Sequence, residues 1–110
     1  MTTYIANAFS PSMVALSDYY LSVLTIPLER AVKIVREQQE RHEVVSCVGH
    51  ANTAAVFSSL LETEVPMNRV SVKLGSNDSV LVGTPNIRLP EGATELPEGT
   101  QITWILIDLC

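Results

Sequence analysis

"SCVGHANTAAVFSSLL", Ser46 to Leu61, decides how the rest of the chain is read. It holds the end of an apolar run, one glycine, a histidine, and then apolar residues at helical spacing. Ala54, Phe57 and Leu61 share one face of a helix expected over 52–61. Just upstream, "HEVVSCV" (His42–Val48) is short and apolar, the pattern of a buried strand. A strand that passes through a single glycine into an amphipathic helix belongs to an α/β or α+β chain.

Working outward, "TIPLERAVKIVREQQER" starts a second helix, with Pro27 suited to its first turn and Glu29 complementing the helix dipole. Leu28, Ala31, Val32 and Val35 recur at i, i+3, i+4, i+7 and predict its buried face. "TYIANAF" (Thr3–Phe9) reads as a first strand that "SPSM" breaks. Tyr19–Ile26 is β-branched and aromatic, hence a strand. Arg69–Leu74 and Ser79–Thr84 predict a hairpin around "GSND". "RLPEGATELPEGT" is a loop, and Ile102–Leu109 a buried closing strand. The expectation is one domain, 1–110, of α/β class with α+β left open: a mixed sheet flanked by two main helices.

Composition limits function. Of 110 residues, 46% are apolar and 17% charged, which is the make-up of a folded globule. Twelve acidic residues against seven basic give a net charge of −5, which disfavours long nucleic acid as a partner. A small anion needs only a few local donors. No apolar run reaches the roughly 18 residues that cross a bilayer, and no basic-then-apolar leader opens the chain. Neither a membrane partner nor export is therefore expected. Two cysteines, Cys47 and Cys110, make no disulfide framework or zinc knuckle and point to a reducing cytoplasm.

Gly49-His50 is the sharpest feature. Glycine there permits an unusual backbone angle or the close approach of a ligand. The helix that follows offers free N–H groups and its positive dipole end, an anion site. An imidazole beside it could protonate the leaving oxygen of a phosphate ester; the plainer alternative is a capping or surface histidine. No GxxxxGK[ST] or GxGxxG occurs, so nucleotide-triphosphate and dinucleotide chemistry lack support. His42 and His50 cluster with no carboxylates, so no metal and no cofactor are expected. His42 reads as an exposed loop residue. Cys47 reads as a small core residue, with nucleophilic use the weaker alternative. Arg88 and Glu91, three apart in a punctuated loop, are either a surface ion pair or a phosphate clamp with an orienting carboxylate. Glu98, in the second Pro-Glu-Gly, has no such arginine and reads as a plain turn.

Four collinear stretches, "YIANAFS", "VGHANTAAVFSSLL", "EVPMNRV" and "RLPEG", resemble the small viral ring nucleases that act as anti-CRISPR proteins against type III systems. The resemblance runs from Tyr4 to Glu91. It implies a symmetric homodimer with a mixed sheet, in the host cell cytoplasm, binding cyclic tetra-adenylate across its two-fold axis. It also implies metal-independent cutting to linear di-adenylate. His50 would be the general acid and the ligand's own 2′-hydroxyl the attacking group. Arg88 and Glu91 would bind and orient the reacting ribose and phosphate, with Arg69 a further phosphate contact. Gly49 would let the ligand approach, while Asn7, Ala8, Phe9 and Ser10 would line the cavity. "VGTPNIR" and "ATELPEGTQ" depart from the family pattern around this loop. Two other readings stay open: a protein that sequesters a cyclic oligonucleotide without cutting it, and a small interaction protein.

Overall fold

A computed structural model describes residues 2–109, so Cys110 lies outside the described residues. Five strands and two helices follow in the order β1 (Thr3–Ala6), β2 (Leu21–Ile26), α1 (Leu28–Glu40), β3 (Val44–Ser46), α2 (Ala51–Leu61), β4 (Ser79–Pro85) and β5 (Ile102–Leu109). The sheet order is β2-β5-β4-β1-β3. β1 runs parallel to both β3 and β4, while β5 is antiparallel to β2 and β4. The sheet is therefore mixed, as expected, and the fold is α+β.

Alternation along the strands builds a core on each face. Ile5, Ile26, Leu81 and Trp104 meet Ala31 and Val35 of α1 and Ala54, Phe57 and Leu61 of α2. Ala6, Val80, Val82 and Ile107 point the other way, where Leu74 and the partly buried Phe9, Met13, Val14 and Leu16 cover them. Neighbours in β4 thus serve opposite cores, the period of two that a strand imposes. Phe57 and Trp104 pack with ring centroids 4.9 Å apart and planes tilted by 54°, a favoured aromatic arrangement.

Several expectations are corrected: β1 ends at Ala6, not Phe9, and β3 is a three-residue edge strand with Val45 exposed, not a buried strand over 42–48. Arg69–Leu74 is no strand and forms no hairpin with β4. Both flanks of β4 are already taken by β1 and β5. Residues 69–74 instead run over the second core, joined to the 13–15 segment through Ala15 N to Leu74 O and Leu74 N to Met13 O, at 2.9 and 2.7 Å. Tyr19 and Tyr20 precede β2 rather than starting it, and Tyr20 is 83% exposed. Pro27 stands at the N-cap of α1, one residue before the helix, and Leu28 at its first position is exposed instead of buried.

Candidate functional site

Because β1, β3 and β4 are parallel, their carboxyl ends share one edge of the sheet. Open sheets with parallel strands bind ligands outside that edge. A cleft of about 810 Å³ lies there. Asn7 enters it from the residue after β1, His50 and Thr53 from the start of α2, and Pro85 from the end of β4. Arg88 and Glu91 line it from the loop beyond β4.

His50 occupies the N-cap of α2 with extended backbone, φ −131° and ψ 131°. Its carbonyl accepts from Ala54 N at 2.9 Å, while its imidazole makes no capping bond and is exposed. The ring is free to meet a ligand. The opening amides of α2 lack intrahelical partners by helix geometry and add their partial positive charge beside it.

Gly49 is not in the left-handed region, and an added Cβ would sit in ordinary contact, 3.5 Å from Arg69 Nε. Neither strain nor crowding within the chain demands glycine there. Its carbonyl accepts from Arg69 Nη2 at 3.0 Å and Nε at 3.3 Å. Arg69 is thus held beside the histidine's backbone, outside the lining of the cleft.

The loop is bent by Gly92, whose φ of 81° lies in the left-handed region where glycine is favoured. With Ala93 N bonded to Pro90 O at 3.1 Å, this closes a turn that presents Glu91. Arg88 and Glu91 are both exposed and form no ion pair with each other.

The structure therefore brings Asn7, His50, Arg88 and Glu91 to one cleft and spreads the remaining candidates. Ala8 lines a separate cavity of about 300 Å³ with Ser12, Met13 and Cys47. Phe9 packs into the second core. Ser10 caps the short 3₁₀ turn Pro11–Met13, its hydroxyl accepting from Ser12 N at 3.4 Å. Cys47 donates to Ile5 O at 3.4 Å, and burial pushes its thiol up, away from the thiolate a nucleophile needs. His42 is exposed, in a left-handed turn with φ 57°, and faces a different cavity that also holds Glu64. Asn52 and Thr53 also line the cleft and were missed by sequence reasoning. Their one signal is a polar pair in the first turn, one residue beyond Gly-His.

A five-strand mixed sheet with a polar cleft at the ends of its parallel strands defines a class of small, single-domain α+β proteins. A family model described as STIV B116-like matches residues 3–103, and the chain belongs to that family. Viral proteins are among its relatives. Uncharacterized protein 26 of Sulfolobus islandicus filamentous virus is 29% identical over 89 residues, 81% of this chain and 72% of that protein. Uncharacterized protein ORF116 of Acidianus filamentous virus 1 is 27% identical over 92 residues, 84% and 76% of the two chains. Among solved structures, B116 of Sulfolobus turreted icosahedral virus superposes with a TM-score of 0.86 at 22% identity, covering 97% of this chain and 98% of that one. That likeness concerns the fold. No helix among the described residues is long and apolar enough to cross a membrane.

Proposed function

We propose that the chain is a metal-independent ring nuclease that cuts cyclic tetra-adenylate to linear di-adenylate, and so ends type III CRISPR signalling as an anti-CRISPR protein. One observation carries this reading. His50, Arg88, Glu91 and Asn7, from separate stretches of sequence, share one cleft at the carboxyl edge of the parallel strands and beside a helix N-terminus. The collinear sequence stretches that resemble ring nucleases supply the substrate.

In the proposed reaction a ribose 2′-hydroxyl of the ligand attacks its own neighbouring phosphorus. The 2′-oxygen–phosphorus bond forms and the bond from phosphorus to the 5′-oxygen breaks. The imidazolium of His50 gives its proton to the departing 5′-oxygen, and the product ends in a 2′,3′-cyclic phosphate. Arg88 offers a planar fork of donors to the phosphate oxygens. Glu91 accepts from the ribose hydroxyl, orients it, and takes up its proton as the 2′-oxygen attacks. Placing the hydroxyl in line with the scissile bond is the largest contribution, because an intramolecular attack needs no bound nucleophile. Two copies of the site, in a homodimer, would make the two cuts.

Incubation of the purified protein with cyclic tetra-adenylate in EDTA, followed by chromatography, tests this directly. Linear di-adenylate is expected. Intact ligand bound stoichiometrically would instead favour sequestration, and no binding at all would leave an interaction protein. His50→Ala is expected to keep binding and lose about 10²–10⁴-fold in single-turnover rate, the usual contribution of a general acid. An unchanged rate in that variant rejects the acid role.

A further inference from the structure

The loop that carries Arg88 and Glu91 has no regular structure of its own, yet its two charged side chains must be set against His50 on another element. At its base, Asn86 N donates to Gln101 O at 2.9 Å and Gln101 N donates to Asn86 Oδ1 at 3.0 Å. Further along, the Leu89 side chain is buried. Between Leu89 and the far end of the loop stands one more attachment. Asn52, second residue of α2, donates through Nδ2 to Pro90 O at 3.1 Å and to Leu89 O at 3.5 Å. These are the hydrogen bonds that join residues 87–96 to the rest of the described chain.

The geometry points to Asn52 as a positioning residue: its amide clamps the 88–91 loop to the first turn of α2 and so sets Arg88 and Glu91 relative to His50. The clamp acts at both ends of the site with very little chain between. Asn52 lies two residues after His50 on the same helix start. The carbonyls it holds belong to Leu89 and Pro90, the two residues between Arg88 and Glu91. Proline restricts the backbone where the bond is made, so the tie transmits its geometry instead of being absorbed by rotation. Asparagine supplies what this needs: an amide donor on a short, rigid stem. Aspartate has the same shape but no donor, and its carboxylate would face two carbonyl oxygens.

What the clamp does for catalysis rests on the ring-nuclease reading; that it holds the loop does not. The test therefore has two arms. In the first, hydrogen exchange is measured on the free protein for wild type, Asn52→Ala and Asn52→Asp. Amides from Arg88 to Ala93 are expected to exchange about 3- to 10-fold faster in both variants, the loss of one ordinary hydrogen bond, with α2 amides unchanged. Unchanged loop exchange overturns the clamp, as does equal loss of protection throughout α2, which would mean general destabilisation. In the second arm, Asn52→Ala, which adds no charge, is compared with wild type on cyclic tetra-adenylate. A kcat lowered by about 10- to 100-fold with KM nearly unchanged is expected, because small misplacements cost rate more than binding. A raised KM with kcat intact makes Asn52 a simple ligand contact and overturns the positioning role. Should wild type cut nothing, the ring-nuclease reading fails, and the exchange arm alone decides the clamp.

Discussion

Three residues before His50, the Cys47 thiol is half-buried against the first strand, and Tyr4 sits beside it on β1. Both titrate higher than usual. For Cys47, with an ordinary value of 9.0, the cause is burial. For Tyr4, with an ordinary value of 10.0, burial leads, followed by repulsion from Asp78 and Cys47. Each group is neutral when protonated, so a raised folded value means that the folded state disfavours ionisation. Their contribution to stability is fully present below the unfolded values and is lost as pH rises through the folded ones. A melting-temperature scan through the alkaline range from 9.0 upward should fall more steeply for wild type than for a Cys47→Ala, Tyr4→Phe double variant. Equal slopes would mean that other groups govern alkaline unfolding. The same burial leaves the Cys47 thiol neutral and a poor nucleophile, so the proposed reaction would not run through it. Cys47→Ala should therefore leave cleavage intact.

The position of α2 depends on one missing side chain. A Cβ at Gly83 would lie 2.6 Å from Phe57 Cζ and 2.7 Å from Trp104 Cζ3, closer than carbon atoms approach. Gly83 thus lets Phe57 of α2 reach down to β4, and the helix start that bears His50 follows. Gly83→Ala should cost about 1–3 kcal/mol in urea unfolding, the usual penalty for overpacking. Adding Phe57→Leu should return part of that loss, since it makes room where the methyl group lands. Strictly additive effects in the double-mutant cycle would show that the two residues do not press on each other. The long elements were legible because α1 and α2 carry helical periodicity, and β4 and β5 are apolar and bounded by turns. Residues 69–74 alternate like a strand, but alternation says nothing about whether a sheet has a free flank, and β4 had none. Within the site, histidine, arginine and glutamate declare their chemistry by type. Asn52 does not: a polar residue in a helix's first turn looks the same whether it faces water or holds a loop. Nor does a run such as Asn7–Ser10 reveal that the chain turns after β1, sending Phe9 to the core and Ser10 to a cap.

At the level of the whole molecule, size and charge bear on the proposed ligand together. A cleft near 810 Å³ falls within the range that suits one drug-sized ligand. A ring of four nucleotides is considerably larger, so a single chain would enclose only part of it. Two chains facing across a two-fold axis would supply two clefts, two imidazoles and two helix N-termini to a ligand with matching symmetry. Such a dimer would also reconcile a net charge of −5 with an anionic ligand. Local donors, doubled by symmetry, would replace a broad basic face. The prediction is a dimer in solution that takes up one ring per two chains. Titration calorimetry with His50→Ala, which avoids turnover, should thus give a stoichiometry near one ring per pair, and light scattering should give twice the chain mass. One ring per chain would mean that each cleft works alone. In that case Arg88 and Glu91 of a single protomer would have to satisfy the whole ligand, and the symmetric two-cut scheme would have no basis.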